Sequence, residues 1–128
     1  PVLCVGELLE EREAGSATHV VERQVRASLE GLPSGEFGRV VVAYEPVWAI
    51  GTGKTATPGD AAEMHTFIRE VLGSLFGESA ASLTPILYGG SVKPSNAREL
   101  LEAENVDGVL VGGASLDVDS FLSIIFPA

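Results

Sequence analysis

Basic residues are scarce in this chain of 128. Eight lysines and arginines stand against 18 aspartates and glutamates, a formal charge of −10. That balance argues against nucleic acid and anionic membrane as partners, since both attract basic surfaces. It also suits a phosphorylated ligand poorly, so an anion site has to be built locally, from backbone N–H groups and Lys54. Cysteine is nearly absent. Cys4 stands alone, no disulfide forms within the chain, and a reducing compartment such as the cytoplasm is expected. No apolar run reaches the roughly 18 residues of a membrane span, and no basic-then-apolar leader opens the sequence. No Gly-x-Gly-x-x-Gly follows the first apolar stretch, which weakens a dinucleotide-binding reading. His19 and His65 have no Cys, His or carboxylate cluster at metal-ligand spacing, so no metal and no cofactor is expected.

What the sequence does hold is a strand followed by a helix, repeated. Pro1–Val5 is a short apolar strand ending at Gly6-Glu7, and the charged run to Glu13 forms a helical turn stopped by Gly15. From Thr18 to Leu32, Val21, Val25 and Leu29 recur every four residues as one helical stripe, closed by Pro33-Ser34-Gly35. Arg39–Tyr44 is a second strand. A helix follows from Pro58 to Phe76, with Thr57 as N-cap and Gly77 as stop. Its inward face is Ala61, Met64, Ile68, Val71 and Leu75. Thr84–Tyr88 is the third strand, with Pro85 tolerated at its start. Ser95–Glu102 is a short helix, Val106–Val111 the fourth strand, and Asp117–Ile125 the last helix. Hydrophobic content of 45% fits one globular domain over residues 1–128. Such alternation calls for a parallel sheet covered by helices, either doubly wound or part of a (β/α)8 barrel. A barrel needs about 250 residues and eight strands; four strands fill about half of one.

Three features carry chemistry. Glu45 follows Arg39–Tyr44, so its carboxylate sits at the carboxyl end of a buried strand, and Pro46 ends the ladder there. The loop after it, Trp48-Ala49-Ile50-Gly51-Thr52-Gly53-Lys54, is apolar and glycine-rich, suited to closing over a ligand and excluding water from a general base. A strand-capping glutamate with a solvated head fits the position equally well. Gly89-Gly90-Ser91 and Gly112-Gly113 follow the third and fourth strands. Glycines bring backbone N–H groups close to an anion, and barrel phosphate sites use the loops after the last strands. Ordinary turn geometry explains one such pair, but two on consecutive strands favour a phosphate cradle. Glu7 lies at a strand end as either a supporting residue or a solvated carboxylate. His65 and Cys4 read as packing.

The stretch Tyr44-Glu45-Pro46-Val47-Trp48-Ala49-Ile50-Gly51-Thr52-Gly53-Lys54 closely resembles the base and lid of the triosephosphate isomerase family. Cys4-Val5-Gly6-Glu7, Tyr88-Gly89-Gly90-Ser91-Val92 and Val111-Gly112-Gly113-Ala114-Ser115 match further stretches, in the family's order and spacing. All belong to its second half. The resemblance implies strands five to eight of a (β/α)8 TIM barrel, a half barrel that is the carboxyl-terminal half of one domain. It implies that Glu45 moves a proton between the carbons of a phosphorylated triose. The N–H groups of Gly51, Ser91, Gly112 and Gly113 would hold the phosphate. Ile50 and Leu110 would clamp the base, Trp48 would sit at a hinge, and Tyr88 and Ser91 would latch the closed lid. An amino-terminal half barrel and a homodimer of the intact enzyme are the implied partners.

The family's electrophilic lysine and histidine come from early strands and have no match here; Lys54 and Lys93 are the only lysines. The competing reading is therefore a non-catalytic half barrel that binds phosphate or self-associates. In either case Leu3, Val40, Val42, Ile86 and Val109 are expected on the sheet's inner face, toward the absent half.

Overall fold

The computed structural model describes residues 1–50 and 54–128. Four strands, β1 (Val2–Val5), β2 (Val41–Tyr44), β3 (Ile86–Tyr88) and β4 (Gly108–Val109), form one parallel sheet in the order β1-β2-β3-β4. Each strand pairs with its neighbour in sequence. A doubly wound sheet reverses direction at a switch point, and this one does not. The architecture is α/β, four parallel strands with helices, consistent with a partial TIM barrel.

The helices connect the strands. α1 (Leu9–Glu13), α2 (Ala17–Leu29) and α3 (Ser34–Phe37) lie between β1 and β2. α4 (Pro58–Phe76) and α5 (Glu78–Leu83) lead to β3, α6 (Ala97–Leu101) leads to β4, and α7 (Val118–Ile125) ends the chain. α4 starts where its sequence says. The Thr57 hydroxyl accepts from the Asp60 N–H at 3.1 Å, and the Asp60 carboxylate accepts from the Thr57 N–H at 2.9 Å. Its stop is Gly77, at φ 91°, a conformation glycine adopts without strain. α3 and α5 were not foreseen from the sequence. They occupy short stretches whose only marker is a turn residue at the start, Pro33 or Gly77.

The core lies between the sheet and the helices. Val21, Val25 and Leu29 of α2 and Ala61, Met64, Ile68, Val71 and Leu72 of α4 are buried, and Phe37 stacks on Phe76 at 3.9 Å between ring centroids. Leu72 and His65 join the inward face while Leu75, expected there, is 36% exposed, because the buried stripe advances from Ile68 to both Val71 and Leu72 and no further. Burying a side chain such as Ile68 or Leu72 contributes about 1.5–3 kcal/mol.

The sheet's two faces are the reverse of expectation. Val40, Val42 and Ile86 are buried against the helices, and Leu3 and Val109 pack on the same cluster. The uncovered face carries Val2, Cys4, Val41 and Leu87 instead, with Val2 51% exposed and Cys4 exposed. Strand side chains alternate, so an error of one residue moves the whole set across the sheet. The strand ends also differ from expectation. β4 has two paired residues rather than six, since only β3 pairs with it, although the Leu110 N–H still bonds the Tyr88 carbonyl at 2.8 Å. Of the apolar residues of α7 only Ile124 is buried, while Val118, Phe121, Leu122 and Ile125 remain exposed, as do Leu116 and Phe126 on either side.

An apolar sheet face and an apolar terminal helix both left in water favour association. The isolated chain is therefore expected to self-associate rather than to persist as a stable monomer. Sedimentation at several protein concentrations measures this, and a folded monomer at every concentration contradicts it.

Candidate active site

Glu45 leaves β2 at its carboxyl end. Its N–H bonds the Val5 carbonyl at 2.7 Å, and the Gly89 N–H bonds the Tyr44 carbonyl at 2.8 Å, so β1 and β3 fix the backbone on both sides. Two glycines make room for it. A Cβ on Gly6 would fall 1.8 Å from the Glu45 carbonyl oxygen, and a Cβ on Gly89 would fall 2.4 Å from Glu45 Cγ. Gln24 of α2 holds Gly6 in place, accepting from its N–H at 2.8 Å and donating to its carbonyl at 3.0 Å. Cys4 lies next to Glu45 on the uncovered face. Its partial burial, then the Glu45 charge, push the thiol's pKa up, so it stays protonated. The expectation that Cys4 is packed inside is thus corrected: it is exposed, because it belongs to the face the helices do not cover.

A cleft of about 460 Å³ opens above the strand ends. Glu45, Ile50, Ser91, Leu110, Gly112 and Gly113 line it together, so six of the expected site residues meet at one place. The lining also includes Gly89, Gly90 and Lys93. Lys93, in the sequence only one of two lysines without a match to the family's electrophile, is the one basic side chain among the described lining residues. Its loop is shaped by Asn96, whose side chain accepts from the Lys93 N–H at 2.7 Å and donates to the Ser91 carbonyl at 3.0 Å. Gly112 is fixed by Ser115, whose N–H and hydroxyl both donate to its carbonyl, at 2.9 and 2.6 Å. Gly51, expected to bind phosphate, lies outside the described residues.

Trp48 and Tyr88 do not line the cleft but stand behind it. Trp48 lies in a 3₁₀ turn, Val47–Ala49, and its indole N–H donates to Glu7 at 3.0 Å. Tyr88 is fully buried. Its hydroxyl comes near the Ala56 backbone without reaching hydrogen-bond geometry.

Glu7 is the residue that sequence reasoning left undecided. It has no exposed surface. Its carboxylate accepts from the Tyr44 hydroxyl at 3.0 and 3.1 Å, from Trp48 Nε1 at 3.0 Å and from Arg12 Nη1 at 3.2 Å. Arg12 also bonds Asp60 at 2.5 Å and lies 4.9 Å from the Trp48 ring centroid. Burial, and then the Glu7 charge, push the Tyr44 pKa far upward, so its hydroxyl stays a donor. Burial also acts to raise Asp60, but the hydrogen bonds from Thr57 and the charge of Arg12 outweigh it and hold that carboxyl below its usual range. The only sequence signal was a carboxylate directly after a strand-ending glycine, which is also how a solvated loop residue looks.

His65 is buried, as expected of a packing residue. Its Nδ1 lies 3.1 Å from the Asn105 carbonyl, so Nδ1 carries the proton. Burial lowers its pKa to about 4, against the opposing pull of that carbonyl and of Asp107. Among the described residues no cluster of His, Cys, Asp or Glu is arranged to hold a metal ion.

A larger hollow of about 560 Å³ is lined by residues of α4 and α5, including Arg69. Arg69 there is already bonded to Ala81, Thr84, Asn105 and Asp107. No strand-end residue reaches that hollow, so the chemistry points to the smaller cleft.

The triosephosphate isomerase family model matches residues 1–128. Over 125 residues the chain is 57% identical to the triosephosphate isomerase of Rhodopirellula baltica, 59% to that of Moorella thermoacetica and 57% to that of Roseiflexus castenholzii. Each alignment takes in 98% of this chain but 49–50% of the relative. The chain therefore spans about half the length of the curated relatives it matches.

The buried imidazole predicts a pH dependence. His65 takes up a proton near 6.5 when unfolded and only at about 4 when folded. Between those values the unfolded state binds more protons, so stability falls as pH drops from 6.5 to 4. The His65 share of that loss is roughly 3 kcal/mol at about 1.4 kcal/mol per pH unit. Urea titrations of wild type and His65→Phe in parallel measure it. Equal pH slopes in the two proteins reject the assignment.

Proposed function

Because this chain belongs to the triosephosphate isomerase family, we propose that it is the carboxyl-terminal half of an enzyme interconverting dihydroxyacetone phosphate and glyceraldehyde 3-phosphate, a step of glycolysis and gluconeogenesis. The observation that carries this reading is the single cleft shared by the Glu45 carboxylate, Ser91 and the paired glycines of two strand-end loops. A base and an anion cradle side by side suit a small phosphorylated substrate whose carbon, close to its phosphate, is to lose a proton.

In this reading Glu45 takes the proton from one carbon, leaving an enediolate, and returns it to the neighbouring carbon. The backbone N–H groups of Ser91, Gly112 and Gly113, with that of Gly51, neutralise the phosphate where this acidic chain has few cations to offer. Ile50 and Leu110 keep the carboxylate dry on either side, Trp48 sits at the loop's hinge, and Tyr88 and Ser91 latch the loop closed. No step here calls for a cofactor. The negative oxygen of the enediolate needs an electrophile. Among the described lining residues the cleft has Lys93 but no histidine. The lysine and histidine would come from an amino-terminal half barrel, which would also cover Val2, Val41 and Leu87. The complete enzyme would be a cytoplasmic homodimer.

The missing electrophile also supports a second reading, a half barrel that binds phosphate without turning over a substrate. A coupled isomerase assay on the isolated chain and on a complete barrel carrying it separates the two. Isomerase turnover only in the complete barrel supports the first reading. Phosphate binding with no turnover in either supports the second.

Two substitutions test the site residues in the complete barrel. Glu45→Gln is expected to lower turnover about 100- to 10,000-fold, the usual share of a positioned base. Near-normal turnover would remove Glu45 from that role. Gly89→Ala places a Cβ 2.4 Å from Glu45 Cγ, too close for the side chain to stay. It is expected to lower kcat at least about tenfold, with the fold retained by circular dichroism. An unchanged kcat would mean that the Glu45 side chain has no fixed place.

A further inference from the structure

The described ends of the loop between Pro46 and Ala56 lie beside two tyrosines. At one end Trp48 shares the Glu7 carboxylate with the Tyr44 hydroxyl. At the other, Ala56 lies near the Tyr88 hydroxyl. Both tyrosines are fully buried on the helix-facing side of the sheet. Each is also one residue from the base machinery. Tyr44 precedes Glu45, and Tyr88 precedes Gly89, over which the Glu45 side chain lies.

One side chain packs against both. The His65 ring meets Tyr44 edge-on, with centroids 5.9 Å apart, and lies tilted against Tyr88 at 6.4 Å. The two tyrosines themselves are 6.4 Å apart, so the three rings form a closed triangle. His65 has no exposed surface, and its orientation is not free. Nδ1 donates to the Asn105 carbonyl. Asn105 in turn is held by α4 itself, donating to the Thr66 hydroxyl at 2.8 Å and accepting from Arg69 Nε at 2.9 Å. It sits at φ 61°, in the left-handed region that asparagine tolerates. Nε2 is buried with no hydrogen-bond partner. The charged groups acting on the ring are Arg69 and Asp107, which are paired with each other at 2.6 Å. The unpartnered nitrogen is a cost that a purely apolar ring would not carry.

We propose that His65 is a positioning residue for the Glu45 base and its lid: the imidazole, oriented by Asn105, spaces Tyr44 and Tyr88 and so keeps both ends of the loop in register with the carboxylate. This rests on the isomerase reading above. His65 touches no substrate; it acts through the two tyrosines, one at each end of the loop.

The test uses a complete barrel carrying this chain and two variants. His65→Asn keeps a donor near Asn105 but removes the ring. His65→Phe keeps the ring but removes the donor. Readouts are kcat, KM and the Trp48 indole N–H resonance, assigned by Trp48→Phe. The proposal expects His65→Asn to lower kcat about tenfold with KM nearly unchanged, and to shift that resonance. It expects His65→Phe to keep kcat and the resonance close to wild type while lowering the melting temperature. A merely structural histidine would lower the melting temperature in both variants and leave kcat intact well below it; that result overturns the proposal. So does a loss in His65→Phe as large as in His65→Asn. If His65→Asn does not fold, His65→Gln, which also removes the ring, takes its place: a tenfold loss of kcat supports ring spacing and an unchanged kcat refutes it. If the wild-type barrel shows no isomerase turnover, the functional reading fails, while the Trp48 resonance still reports on the coupling.

Discussion

A buried carboxylate holds the strand-end side of this structure together. Glu7 has no contact with solvent, and removing an ionised group from water costs several kcal/mol unless strong partners replace the water. Three donors do so: Tyr44, Trp48 and Arg12. They come from the end of β2, the start of the loop and α1, while Arg12 reaches on to Asp60 at the start of α4. The backbone joins in, since the Val47 N–H bonds the Glu7 carbonyl at 3.1 Å. Charge-assisted bonds of this kind are about twice as strong as neutral ones. Any movement of the loop start has to break or lengthen some of them, so this one anion sets how the loop begins and where Glu45 departs.

The glycines act through what they omit. Gly6 and Gly89 follow directly on the strands flanking Glu45, and each leaves a space that Glu45 fills, with its backbone at Gly6 and its side chain at Gly89. A methyl group at either place meets Glu45 far inside van der Waals contact. These two positions therefore constrain the carboxylate sterically, while the Glu7 network constrains the backbone next to it by hydrogen bonding.

One face of the sheet is packed and the other is open, and the site lies where they meet. The packed face carries Tyr44 and Tyr88, with His65 between them and α2 and α4 behind. The open face carries Cys4 and Glu45. A carboxylate at that border is supported from behind and reachable from the front, as a base acting on a bound ligand needs to be.

Much of this was legible in the chain itself. Apolar runs placed all four strands, and the four-residue stripe of Val21, Val25 and Leu29 with the Thr57–Asp60 cap placed the two main helices, because periodicity and capping are local properties. Glu45, Ile50, Ser91, Leu110, Gly112 and Gly113 were picked out by motif and share one cleft. The facing of the strands was not legible. A continuously apolar strand such as Val40–Tyr44 has no polar alternation to show which residues point at helices, so Val42 and Ile86 were placed on the wrong side. Nor was the role of Glu7, because its three partners lie 5, 37 and 41 residues away in sequence. The clearances at Gly6 and Gly89 were hidden in the same way. The sequence by itself determined the order of elements, the family resemblance and the residue types of the site, since these depend on neighbours along the chain. Only the tertiary structure decided which face is open, which carboxylate is buried and which rings stand behind Glu45, since burial is settled by segments that meet only once the chain has folded.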